Sequence, residues 1–394
     1  MSPTSSPHPQ TPPSSPLWTD PHRQALFETW FAQVGAAHHL LPGTLCLASA
    51  DASFRRYLRV DGSPISSSPS WIIMDAPPKL ENCKPFVQVA ELMASAGLKV
   101  PQVLAWDEAN GFMLLTDLGA QTMKQVIQPG DAPPLSLYLD AMETLIQWQL
   151  ASREGVLPPY DQALLMREME LYPQWYVGEH RQFTLDAAQR KTLDDAFAKI
   201  VANNLSWPSV YVHRDFMPRN LMVQNVAPTL PTACGSLPPE GAHFALGRPG
   251  GETPASATRL GVLDFQDAVY GPITYDIASL MRDAFLSWEE DFCLDVTIRY
   301  WDKARKAGLP VGSDFGAFYQ GVEWMGLQRH LKVTGIFARL TLRDGKPQYL
   351  ADTPRFIAYM RATCERYMEL KPLLRLIERI EGIPVPNAYA FGRS

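Results

Sequence analysis

The sequence predicts an α+β chain in which a small N-terminal lobe with an antiparallel sheet precedes a larger, mainly helical C-terminal lobe. Three observations predict it. Between Gly43 and Leu118, short apolar runs alternate with turn residues around a single helical stretch, the mixture of a small α+β layer. Beyond Gly119, apolar residues recur at three- and four-residue spacing over long segments. Within that helical half, two short β-like runs, 210–213 and 260–265, each deliver an acidic residue at their end, Asp215 and Asp264.

The elements follow in order. Asp20 before Pro21 reads as an N-cap and first-turn pair, and Leu26, Trp30, Phe31 and Val34 then give one apolar helix face. Strand-like runs at 45–48, 56–60 and 71–74 are divided by turn residues, including the Ser/Pro-rich 62–70. A helix over 86–96 comes next, then a hairpin of 102–106 and 112–116 around 108–111. Helical spacing resumes over 137–152, 164–177 and 185–203, and again over 275–306, 315–340 and 354–379. A third short β-like run covers 221–223. Residues 224–259 are rich in Pro, Gly and Ala without periodicity, the composition of a long flexible insertion in a hairpin. The first 19 residues are Pro/Ser-rich with no apolar core, so they read as a disordered tail and not as a secretory signal. The expected division is therefore a tail (1–19), an N-lobe (20–118) and a helical C-lobe (119–394) carrying the 224–259 insertion.

Composition narrows the class. Hydrophobic residues make up 46% and charged residues 19% of the 394, the balance of a globular protein. A net charge of -6 gives no global drive toward nucleic acid or an anionic membrane. The five cysteines are scattered and form no CxxC pair, so neither a disulfide framework nor a zinc site is expected. No apolar run is long enough to cross a bilayer. A cytoplasmic monomer with small-molecule partners is the expectation.

The chemistry is concentrated in Val212-His213-Arg214-Asp215-Phe216-Met217-Pro218-Arg219-Asn220-Leu221 and, downstream, Gly261-Val262-Leu263-Asp264-Phe265-Gln266-Asp267. Phosphoryl transfer asks a protein for a carboxylate that takes or orients the acceptor hydroxyl, oxygen ligands for magnesium, and fixed positive charge. Asp215 and Asn220, five residues apart across a tight loop, can present a base and an amide oxygen to one site. Asp264, behind Val262 and Leu263, is delivered by a buried strand. Singly, each is a common cap or turn residue; their order and context favour catalysis.

HRDxxxxN followed by DFQ resembles the catalytic and metal-binding loops of the bilobal protein-kinase-like fold. The continuation DAVYGPITYDIASLMRDAF is similar to the aminoglycoside phosphotransferase and choline-kinase branch. Asp51-Ala52-Ser53-Phe54-Arg55-Arg56-Tyr57 and Met74-Asp75-Ala76-Pro77-Pro78 further resemble the bacterial anomeric N-acetylmuramate/N-acetylglucosamine kinases of peptidoglycan recycling, part of cell-wall biogenesis. The resemblance implies an ATP- and Mg2+-dependent transferase acting on an amino sugar. It implies Asp215 as base, Asn220 and Asp264 as Mg2+ ligands, and His213 as a structural residue of the loop. Adenine would meet the backbone of Thr116, Asp117 and Leu118.

Other positions stay open between function and structure. Ser53, in a loop of small residues between two strands, can approach phosphate oxygens, and Arg56 and Arg59 can supply charge there or form a solvated strand face. The third strand lacks the lysine that kinases carry. Arg214 and Arg219 flank the base, where the transferring phosphoryl or an anionic lactyl group would be welcomed, or a salt bridge formed. Glu168, Tyr172 and Trp175 fall at i, i+4 and i+7; on an uninterrupted helix they would share a face suited to a sugar, or else to the core. Two further functions remain: a kinase of another hydroxyl (aminoglycoside, choline or homoserine-like), and an inactive kinase-like binding module.

Overall fold

The computed structural model describes residues 18, 20–50, 54–128, 130–223 and 260–384. The expected tail up to residue 17, Ser53 and the 224–259 insertion lie outside the described residues. The described residues fall in two compact units. One draws on the chain up to Val87 and on Pro101–Asp117; the other holds Gln88–Val100 and the described residues from Leu118 onward.

In the first unit, helix α1 (Pro21–His38) starts where expected, with the Asp20 side chain accepting from the His22 N–H. It buries Phe27, Trp30 and Phe31 against Leu58, Val60, Trp71, Ile73, Phe112 and Leu114. Each such side chain contributes about 1.5–3 kcal/mol of burial. Those partners lie on a five-stranded antiparallel sheet of order β1-β2-β3-β5-β4, built from β1 (Cys46–Ala50), β2 (Arg56–Asp61), β3 (Ser70–Asp75), β4 (Val103–Asp107) and β5 (Phe112–Thr116). The β4–β5 turn depends on Gly111, at φ +73°, where an added Cβ would stand 2.0 Å from the Ala76 carbonyl oxygen.

Helix α2 (Lys84–Ser95) leads toward the second unit, which is mainly helical. It contains α3 (Met123–Val126), α4 (Leu135–Leu150), α5 (Gln162–Met169), a π-helical segment (Tyr172–His180) and α6 (Ala187–Leu205). Two short hairpin ladders follow. Strand β6 (Ser209–Val212) pairs with β9 (Val269–Pro272), and β7 (Leu221–Val223) with β8 (Leu260–Val262), so the insertion does fall between paired strands. Helices α7 (Thr274–Met281), α8 (Glu290–Lys306), α9 (Phe315–Leu342), α10 (Thr353–Arg366) and α11 (Lys371–Glu381) complete it. Cys83, Cys293 and Cys364 are free and buried.

Three expected helices are broken. The 164–177 segment ends its α-helix at Met169, because Pro173 lacks the N–H that would bond the Met169 carbonyl and its ring crowds that group. The 275–306 segment stops at Met281, and the Asp283 side chain turns the chain by accepting from the Leu286 N–H. The 354–379 segment is interrupted by a short 3-10 turn, Met368–Leu370.

Candidate active site

The β7–β8 ladder sets the geometry. Leu221 stands opposite Val262, so Asn220 and Leu263 fall side by side, and the Leu263 N–H donates to the Asn220 carbonyl at 2.9 Å. Asp264 is the next residue, at φ +63°. The Asn220 amide nitrogen donates to the Asp215 carbonyl at 2.9 Å and to Asp264 Oδ2 at 3.3 Å. Gln266 Nε2 holds the other Asp264 oxygen at 2.8 Å. The backbone of the loop that carries Asp215 is thus tied to Asn220 and Asp264.

Beneath the loop, buried Asp276 accepts from the backbone N–H groups of His213 (2.7 Å) and Arg214 (3.0 Å). Burial nonetheless pushes its carboxyl up to about 7. His213 is wholly buried and receives the Asp215 N–H on Nδ1, so Nε2 carries the proton toward the Leu263 carbonyl at 2.9 Å. Burial lowers that ring to about 4, which keeps it neutral and structural. Arg214 stands at φ +77°, and left-handed backbone at a non-glycine residue costs about 1–3 kcal/mol, so the surroundings must impose it.

Helix α9 supplies part of that restraint. Arg329 donates to the Arg214 carbonyl, lies 4.8 Å over the Tyr275 ring and brings Nη2 to 4.0 Å from Asp215 Oδ1. Lys332 sits 3.0 Å from Glu168, which also pairs with Arg214 at 2.5 Å and accepts from the Tyr160 hydroxyl. Partial loss of solvent alone would raise the half-buried Asp215 carboxyl; Lys332, Arg329 and Arg214 overcome it and hold the group below the ordinary carboxylate range. Glu168, buried but facing Lys332 and Arg214, is likewise held at about 2.

Several expectations need correction. Arg214, expected to assist catalysis directly, spends its guanidinium on Glu168 and the Asp267 carbonyl. Glu168, Tyr172 and Trp175 share no α-helical face, since the helix breaks before Tyr172. Tyr172 is fully buried and stacked on Tyr176, so it belongs to the core, while Trp175 is half-buried. Arg219, by contrast, is exposed on the loop, its guanidinium 5.0 Å over the Phe285 ring, and forms no ion pair among the described residues.

In the first unit, Arg56 pairs with Asp75, which Arg23 holds from the other side. Arg59 pairs with Asp117, and Ser70 donates to the same carboxylate. Both arginines, expected either to supply charge to the phosphates or to form a solvated strand face, thus carry a carboxylate partner. The Thr116 N–H is bonded to the Gln102 carbonyl at 3.1 Å, which removes it from the expected adenine contacts. The chain crosses from the first unit to the second between Asp117 and Leu118. Strand β3 lies where the sequence placed it, without a lysine. Arg329 and Lys332 were missed. The available signal was four polar residues, Gln328 to His330 and Lys332, set among apolar residues in the part of the helix, Gly321 to Ala338, that buries nearly every side chain.

A small antiparallel sheet in one unit, and in the other an acidic loop whose backbone is tied through the Asn220 amide to a second acid, define a phosphotransferase of the protein-kinase-like fold. The comparisons with known proteins agree. The chain belongs to the phosphotransferase enzyme family (APH), whose profile matches residues 44–229 and 255–311. It is 42% identical to the N-acetylmuramate/N-acetylglucosamine kinase of Pseudomonas putida, over 93% of this chain and 95% of that protein. It is 44% identical to the enzyme of the same name from Neisseria meningitidis serogroup B, over 86% and 91%. Among solved structures, the GDP complex of aminoglycoside 2′-phosphotransferase-IIIa shares the fold at a TM-score of 0.52, with 14% identity, covering 89% of this chain and all of that one.

Proposed function

We propose that this protein transfers the γ-phosphoryl group of ATP to the anomeric hydroxyl of N-acetylmuramate and N-acetylglucosamine, in the recycling of peptidoglycan. The observation that carries the reading is the Asn220 amide, which ties the Asp215 backbone carbonyl to the Asp264 carboxylate. The names of the relatives, matched over nearly their whole length, support the acceptor.

Asp215 keeps 40% of its side chain exposed, enough to meet an acceptor hydroxyl. It serves as the base that orients this hydroxyl. Its depressed basicity suits a loose transition state, in which little proton transfer precedes bond breaking to the leaving group. Arg214 is a positioning residue, tied to Glu168.

The donor set fits Mg2+: Asp264 and Asn220 offer hard oxygen ligands, and Mg2+ is usually held by one or two carboxylates with phosphate oxygens and water. Among the described residues no group of three or more His, Cys, Asp or Glu could hold a metal ion, so a cage made by the protein alone is not the design. When bound, Mg2+ neutralises charge on the phosphates. No helix among the described residues is long and apolar enough to cross a membrane, and the reading is of a cytoplasmic monomer.

The test is ADP release with Mg·ATP and, in turn, N-acetylmuramate, N-acetylglucosamine, glucose and kanamycin. Turnover with the two amino sugars, and loss of the product's reducing end, is the expected result. Turnover with kanamycin alone would move the protein to the aminoglycoside reading. Inertness toward every acceptor would favour the binding module.

A further inference from the structure

Two cations meet on one aromatic ring beside the catalytic loop. Lys124 Nζ lies 4.3 Å from the centroid of Phe285, and the Arg219 guanidinium 5.0 Å from the same centroid. By those distances the two charges are at most about 9 Å apart, close enough for one anion to meet both. Among the described residues neither has a carboxylate at ion-pair distance, in contrast to Arg214, Arg329 and Lys332 nearby.

The arrangement is built, not incidental. Lys124 is in the short helix α3, fixed by a reciprocal cap in which Thr122 and Gln125 satisfy each other's backbone N–H. Thr122 bridges to Met222 on β7, and the Val223 N–H donates to the Gln121 carbonyl at 3.0 Å. The strand that fixes Asn220 therefore also fixes Lys124. Phe285 is anchored from behind by Ala284, Phe337 and Phe356. Arg219 immediately precedes Asn220 in the chain. Like charges gathered on a fixed platform, with no counter-charge among the described residues, make a site for an anion.

We propose that Lys124 and Arg219 bind the carboxylate of the acceptor, and so determine preference between its two forms. N-acetylmuramate carries a lactyl carboxylate that N-acetylglucosamine lacks. This inference rests on the proposed amino-sugar kinase activity and adds to it the residues that recognise the acid. The nucleotide's phosphates are the other anion within the same chemistry, and the experiment separates the two.

Lys124→Met and Arg219→Met are assayed for kcat/KM with both amino sugars and for KM toward ATP, with folding checked by the thermal midpoint. A charge-assisted contact corresponds to a factor of about ten or more. The expected result is that the ratio of kcat/KM for N-acetylmuramate over N-acetylglucosamine falls at least about tenfold in each variant, with KM for ATP unchanged. A rise in KM for ATP with both acceptors affected equally would assign the pair to phosphate and overturn the carboxylate reading. An unchanged ratio with unchanged KM would overturn the site altogether. If the unaltered protein consumes neither amino sugar, the proposed function itself fails, an outcome distinct from the other two.

Discussion

Asp215 works within a ring of positive charge, and two substitutions separate its own role from that of its neighbours. Asp215→Asn keeps the shape of the side chain and removes the carboxylate proposed to meet the acceptor hydroxyl. With the proposed base gone, kcat should fall by about 10²–10⁴-fold in an ADP-release assay, the range for general acid–base groups. Retention of full turnover would remove Asp215 from the chemistry. Arg329→Lys tests a different claim. The guanidinium bonds the Arg214 carbonyl, lies over Tyr275 and faces Asp215 at once, whereas an ammonium cannot reproduce that planar fork. A misplaced loop should lower kcat by about 10–100-fold while KM for ATP stays near its original value. If lysine restores full activity, charge alone is what Arg329 supplies.

At the scale of elements, helix α9 is held against the α5–π junction by the absence of a side chain. A Cβ at Gly335 would stand 2.3 Å from the Leu171 carbonyl carbon, and backbone cannot step aside as a flexible side chain would. Gly335→Ala should therefore destabilise by about 1–3 kcal/mol, as overpacking does, despite the better helix propensity of alanine. Urea unfolding reads this directly; a midpoint at or above that of the unaltered protein would show that the junction yields. The same junction shows what the sequence could and could not tell. Asp20-Pro21 and the Gly111 turn were legible because their causes are local: a cap, a fixed φ, a residue without Cβ. Asp215, Asn220 and Asp264 stood out as HRDxxxxN and DFQ, and the β7–β8 register is what brings Asn220 and Asp264 together across 44 positions of chain. The break at Met169 needed the choice between a kinked and a terminated helix at Pro173, which periodicity alone does not make. Strand β9 is four residues ending in Gly-Pro and carries no alternation of its own. Arg329 and Lys332 reach Asp215 only through tertiary packing of a helix more than a hundred residues downstream; their polarity in an apolar stretch marks them as unusual, but nothing along the chain says which group they meet.

For the whole molecule, the buried ionisable groups predict how stability responds to acid. His330 is buried between the rings of Phe356 and Tyr359, with Nε2 on the Arg282 carbonyl, and burial lowers it from 6.5 to about 3. A ring held neutral when folded, but free to charge when unfolded, binds fewer protons in the native state. Its contribution is fully present above pH 6.5 and is lost as pH falls toward 3, by about 1.4 kcal/mol per unit. His213 acts in the same direction between 6.5 and about 4. Asp276 and Asp283, raised by burial to about 7 and about 6 from 3.8, act in the opposite direction. Their contribution is full below 3.8 and declines as pH rises through those values, so the two sets offset each other between about pH 4 and 6. His330→Gln isolates one side of that balance, because the amide cannot charge. Measured by urea at a series of pH values, the stability of the unaltered protein minus that of His330→Gln should shrink on going from pH 6.5 to pH 4. A difference that stays constant across that range would mean that the ring titrates alike in the folded and unfolded chain, and that the aromatic sandwich around it does not exclude the proton.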